Sequence, residues 1–177
     1  MFRKITSTIL GLFLTVTTAQ AVDHPIPRTL SYHNIESVEC LALNIYFEAR
    51  DEPVAGQAAV ADVVLNRVLD IRWPNTICSV IKQGPISKWW KEKHGKEVPI
   101  RNRCQFSWYC DGKGDDPKNQ DAYIKARDIA YSILVHEKYK GLTEGATHYH
   151  ADYVNPKWSK DFTIVGTIGA HIFYRAD

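Results

Sequence analysis

Residues 34–68 read NIESVECLALNIYFEARDEPVAGQAAVADVVLNRV, and this stretch decides the fold class. Ile35, Val38, Ala42, Ile45 and Ala49 recur at steps of three and four, which draws one apolar stripe along a helix. Asn34 is the expected N-cap, with Glu36 and Glu39 suited to the positive end of the helix. Val54, Ala58, Ala61, Leu65 and Val68 repeat the pattern, rich enough in alanine for close approach to a neighbour. Between the stripes, Asp51-Glu52-Pro53 makes a corner, Pro53 being suited to a first helical position. The expectation is an αα-hairpin.

Upstream, residues 22–37 read as a lead-in, irregular as far as residue 33. Before them, Arg3 and Lys4 precede a moderately apolar run, Ile5 to Thr18, and Ala19-Gln20-Ala21 forms a small-x-small cleavage site. That run is too short and too rich in Ser and Thr to span a bilayer about 30 Å thick. Residues 1–21 are therefore expected to be a signal peptide, and the product secreted or periplasmic, with an uncleaved anchor as the alternative. Losing Arg3 and Lys4 lowers the formal charge from +2 to zero. A neutral chain offers no overall attraction to nucleic acid.

Downstream, Lys82 to Arg103 is a basic surface excursion carrying Trp89 and Trp90, followed by a loop at 112–117. Asp121 is the expected cap of a third helix, with Tyr123, Ala126, Ala130, Ile133 and Leu134 on its buried face. Ala146 to Tyr153 and Thr163 to Tyr174 read as β-structure. Helices first and strands last give an α+β domain, mainly helical with a small C-terminal antiparallel sheet, spanning 38–177. Apolar residues at 45% and charged residues at 24% suit one globular domain and exclude a disordered or fibrous chain.

Cys40, Cys78, Cys104 and Cys110 allow three disulfide pairings, and sequence alone does not choose. Cys40–Cys78 with a local Cys104–Cys110 clip is favoured. A four-thiolate zinc site is the rival, but such ligands usually arrive as close C-x2–4-C pairs.

Glu48 stands near the end of the first helix at the rim of its apolar stripe. Partial burial and the negative helix end both disfavour its charge, as a general acid requires. Glu52 is a possible second carboxylate, although a capping role at the corner suits it better. His148, His150 and Asp152 alternate in a strand and share a face, which fits a metal site, the lining of a sugar cleft or a solvent face. Tyr149 and Tyr153 point the other way and are expected to pack inward. Trp89 and Trp90 could stack sugars or fold onto the core. The Asp111–Asp116 segment reads as a turn, since it lacks the spaced carboxylates of a calcium loop. Neither a phosphate-binding loop nor a nucleophile elbow occurs.

Taken in order, these residues resemble the SleB-type cell-wall hydrolases, the spore cortex-lytic family. The resemblance rests on Cys40-Leu41-Ala42, Asn44 to Arg50, Glu52-Pro53, Gly56 to Ala61, Val63 to Val68, Pro74-Asn75-Thr76 and Cys78. It continues through Cys104 to Ser107, Cys110-Asp111-Gly112, Ala146 to His150, Gly166 to Gly169 and His171 to Tyr174. Asp51 departs from the pattern, standing where the family usually has glycine, at a corner where Asp tolerates a left-handed backbone.

The resemblance implies a lysozyme-like domain that cleaves the glycan strands of peptidoglycan, needing no cofactor or metal, with Glu48 as the essential acid. A single carboxyl suits a lytic transglycosylase cutting the β-1,4 bond between N-acetylmuramic acid and N-acetylglucosamine. Gln105, Ser107, Tyr149 and His150 are the expected sugar-orienting residues, with Trp89 and Trp90 as further binding candidates. The alternatives are a hydrolytic muramidase with Glu52 as base, a metal-dependent amidase on His148, His150 and Asp152, and a non-catalytic wall-binding module.

Overall fold

The structure, a computed structural model, describes residues 32–176. The expected signal peptide and most of the lead-in lie outside the described residues. Helix α1 (Tyr32–Ala49) starts two residues before Asn34, which is therefore inside the helix and not its cap. No proline or glycine stands between Pro27 and Asn34 to stop it there. Helix α2 (Val54–Leu69) follows, with Pro53 at the N-cap position, one residue earlier than expected. No helix among the described residues is long and apolar enough to cross a membrane.

Two short helices were not visible in the periodicity. One is α3 (Ile77–Ile81), whose first turn is capped by the Thr76 side chain accepting from Ser79 N–H. The other is α4 (Lys88–His94), inside the basic excursion. Helix α5 (Gln120–His136) is capped by Asn119 accepting from Ala122 N–H, not by Asp121, which sits in its first turn. There its negative charge still favours the helix N-terminus. The C-terminal strands β1 (His148–Ala151), β2 (Thr163–Ile168) and β3 (His171–Arg175) form an antiparallel sheet in the order β1-β3-β2. The α+β expectation holds.

The composition of α2 explains how the two layers meet. Every residue from Gly56 to Val64 is buried. On one side Ala58, Ala61 and Val64 pack with Leu41, Ala42 and Ile45 of α1 and Ala126 and Ala130 of α5. On the other, Ala59 and Val63 pack against Ala146 and Phe173 below the sheet. A helix enclosed on both faces needs small side chains, and a wide ring at Ala58 or Ala59 would overpack the junction.

Polar residues on the second half of α2 hold the segment leading into β1. The buried Asp62 carboxylate accepts from Gly141 N–H (2.9 Å), Thr143 N–H (2.8 Å) and the Thr143 hydroxyl (2.7 Å). Asn66 Nδ2 donates to Thr143 Oγ1 at 3.0 Å and to the Ala146 carbonyl at 2.9 Å. Arg67 Nε donates to the Thr147 carbonyl at 2.7 Å. Through these bonds one helix sets where β1 begins. Disulfides join Cys40 to Cys78, tying α1 to α3, and Cys104 to Cys110.

Candidate active site

Glu48 is the penultimate residue of α1 and is half-buried at the helix end. Burial raises its pKa above the ordinary carboxylate value, against smaller opposing effects of a Tyr149 hydrogen bond and the Arg67 charge. Tyr149 on β1 supplies that bond, its hydroxyl donating to Glu48 Oε2 at 3.0 Å. Burial also raises the Tyr149 phenol well above its usual value, so it stays a donor. Arg50 turns away from Glu48, lying 3.6 Å from Asp51 and over the Tyr46 ring.

Beside Glu48 opens a cleft of ≈ 200 Å³, bounded by Phe47, Arg50, Glu52, Tyr153, Ala170 and His171. Tyr153 was expected to pack inward but is 87% exposed. The reason is that β1 ends at Ala151, so strand alternation does not carry to it. Asp51 is absent from the positive-φ residues, so the corner needs no left-handed backbone, and aspartate there is accommodated without strain.

Glu52 lines the same cleft, yet its carboxylate is engaged. Oε2 accepts from Ala170 N–H at 3.1 Å, and Oε1 lies 3.8 Å from His171 Nδ1. Burial lowers the His171 pKa despite this neighbour. Gly56 and Gly169 leave room for the carboxylate, since a Cβ at either would meet Glu52 Oε2. Gly169 also turns the β2–β3 hairpin at φ +59°. Gly169→Ala is therefore expected to cost about 2–4 kcal/mol, combining left-handed strain with displacement of the Glu52 carboxylate. Chemical denaturation would measure it, and Glu52→Ala in the same chain should recover part of the loss.

Arg67 was not singled out from the sequence. Its guanidinium is buried over Trp73 (4.3 Å) and Phe106 (5.2 Å), and burial lowers its pKa to about 10. It remains a cation at neutral pH and favours the charged forms of Glu48 and Tyr149. Trp108 was also missed. Its Nε1 donates to Asn44 Oδ1 at 3.1 Å, and its ring stacks on Phe47 at 4.7 Å, which braces the wall of the cleft. A usable signal was present: Asn44 is a polar residue in an apolar helix, four positions before Glu48 and so on the same face.

The remaining candidates are not gathered at Glu48. His150 Nε2 bonds the Tyr174 hydroxyl and its Nδ1 bonds the Ala151 carbonyl, both at 2.8 Å. His148 stacks on Phe162, and both histidine rings contact Trp158 on the face of β1 opposite Tyr149. Burial, with help from Arg67 and Arg72, lowers the His148 pKa to about 4. Asp152 lies beyond β1, exposed. The metal reading of this trio is not supported, because no group of three such side chains among the described residues is placed to hold an ion. Gln105 lines a different cavity of ≈ 310 Å³ with Trp73, His148 and Phe162. Ser107, itself exposed, opens a 3₁₀ turn, Ser107–Cys110. Trp89 and Trp90 stand on α4, 54% and 39% exposed, and line neither cavity. Asp111 Oδ1 accepts from Lys113 N–H, the expected turn.

Comparison with known proteins agrees with this architecture. The catalytic domain of the germination-specific lytic transglycosylase SleB from Bacillus anthracis superimposes with a TM-score of 0.57 at 28% identity. That match covers 85% of this chain and 100% of the other. The catalytic domain of the Bacillus cereus SleB protein gives 0.53 at 27% identity, covering 80% and 91%. In sequence, the spore cortex-lytic enzyme of Bacillus cereus is 48% identical over 56 residues, 32% of this chain and 20% of that protein. The Oceanobacillus iheyensis spore cortex-lytic enzyme is 41% identical over 56 residues, 32% and 19%. The chain thus aligns with about a fifth of the length of these relatives. The Cell Wall Hydrolase family profile matches residues 51–174, and the chain belongs to that family.

Proposed function

We propose that this protein is an exported lytic transglycosylase that cuts the β-1,4 bond between N-acetylmuramic acid and N-acetylglucosamine in peptidoglycan, with Glu48 as its acid. The observation that carries the reading is a half-buried carboxyl of raised pKa at the edge of a cleft, held by one tyrosine hydroxyl. That the Bacillus anthracis SleB structure is of a germination-specific lytic transglycosylase supports the same reaction class.

Protonated Glu48 gives its proton to the glycosidic oxygen as the bond to the muramic acid anomeric carbon breaks. The 6-hydroxyl of the same muramic acid attacks that carbon, and the Glu48 carboxylate takes the hydroxyl proton. The products are a 1,6-anhydro end and a free 4-hydroxyl on N-acetylglucosamine; no water is consumed and Glu48 is reset. A hydrolytic enzyme would need a second carboxylate free to activate water. Glu52 is the neighbouring candidate, but its oxygens already face Ala170 N–H and His171.

Mass spectrometry of fragments released from purified sacculi tests the proposal. Anhydro muropeptides are expected. Reducing-end sugars, heavier by one water, would make the enzyme a muramidase, and free amino groups without glycan ends would sink the glycosidase reading.

The pH profile carries a further expectation. The first step needs the protonated acid, so activity falls as pH rises through the Glu48 pKa. The Tyr149 hydroxyl stabilises the carboxylate and lowers that pKa. Tyr149→Phe should therefore move the alkaline limb of kcat/KM to higher pH. An unmoved limb would show that the hydroxyl does not tune the acid.

A further inference from the structure

Residues 85–100 form an ordered head outside the core. Its base is clipped by Ser87 N–H to the Val98 carbonyl (2.9 Å), Ile100 N–H to the Pro85 carbonyl (2.8 Å) and an Ile86–Pro99 bridge. Ser87 caps α4, and Gly95, in the left-handed region at φ +63°, ends it. No residue of α4 is buried. The Trp89 and Trp90 rings meet edge to face at 5.1 Å, and His94 lies 4.7 Å from Trp90. Lys93 stands 5.0 Å over the Trp89 ring.

An exposed tryptophan pair on a braced stalk leaves apolar surface in water, which is costly unless something covers it. The charge on the head narrows the choice. Residues 88–96 carry Lys88, Lys91, Lys93 and Lys96 against Glu92 alone, and Lys91 is paired with Glu97 at 2.6 Å. Flat aromatic faces beside cations complement a ligand of sugar rings bearing carboxylates. A bilayer-inserting tip would need a larger aliphatic surface, and here Ile86 is the single exposed aliphatic neighbour, 38% exposed.

We infer that the α4 head is a second peptidoglycan-binding surface, separate from the Glu48 cleft. Trp89 and Trp90 stack on glycan rings, and Lys88, Lys93 and Lys96 meet the carboxylates of the stem peptides. This rests on the peptidoglycan reading above and extends it. Such a surface holds the enzyme on the insoluble wall while the cleft acts on one strand, so it matters for sacculi and little for short soluble fragments.

The test compares Trp89→Ala with Trp90→Ala, singly and together, in a Glu48→Gln chain so that nothing is digested. Retention by pelleted sacculi is expected to weaken about tenfold for the double variant, the scale for losing aromatic anchors. With Glu48 intact, the double variant should cleave soluble muropeptide oligomers within about twofold of the parent, since no cleft residue changes. Lys88→Gln with Lys96→Gln should lower the salt dependence of retention. Undiminished retention of the double tryptophan variant would overturn the inference. So would a loss of binding confined to vesicles of anionic phospholipid, which would make the head a bilayer contact. Because pelleting reads retention and not turnover, failure of the cleavage proposal would be seen separately.

Discussion

Glu48→Gln is expected to reduce glycan-strand cleavage by about 10³-fold, within the span attributed to a positioned general acid. The amide is nearly isosteric and its oxygen can still accept from the Tyr149 hydroxyl, so the loss should fall on kcat with sacculus binding intact. Stability separates this from unfolding, with a sign that can be worked out. Burial raises the Glu48 pKa, so the folded protein keeps a proton that the unfolded chain gives up. The stability this contributes is complete below the unfolded carboxyl value of about 4.3 and is lost as pH rises through the folded value. Glutamine does not titrate. The melting temperature of Glu48→Gln relative to the parent should therefore rise from pH 4 to pH 7. An active variant, or one whose melting temperature relative to the parent does not rise from pH 4 to pH 7, would remove Glu48 from the role of a half-buried acid.

Asp62→Ala should produce the largest loss of stability. Its carboxylate accepts three hydrogen bonds from Gly141 and Thr143, and Thr143 in turn accepts from Asn66. Removing it leaves the Thr143 donors buried without a partner, while water can reach Gly141. The expected cost is about 3–4 kcal/mol, a fall in melting temperature of about 10 °C. The damage should reach the site, because the same segment leads into the strand that bears Tyr149. Asp62→Asn keeps an acceptor oxygen and should recover part of both stability and activity. If Asp62→Ala melts like the parent, this polar strip does not anchor the sheet.

The two long helices of the hairpin were legible because five apolar residues in each repeat at helical steps over four turns. Helices α3 and α4 are too short for a period to show. Cap positions slipped by one or two residues, as at Pro53 and Asn119, because several neighbours could cap equally well. The partial burial of Glu48 was legible from its place at the rim of an apolar stripe. Its partners were not: Tyr149 joins it across 101 residues of chain, and Arg67 approaches from another helix. Strand alternation separated Tyr149 from His148 and His150 correctly, but it could not foresee that Trp158, Phe162 and Tyr174 would occupy the histidine face.

The bonds from α2 to the 141–147 segment also order events during synthesis. A ribosome that has delivered the chain only as far as α5 has made Glu48, the corner and the helix core. It has not yet made the hydroxyl beside Glu48 or the Ala170 amide that receives Glu52. On the proposed assignment of Glu48 as the acid, a chain that stalls or is clipped before β1 lacks the sheet that completes the cleft beside it, and is expected not to cut the wall.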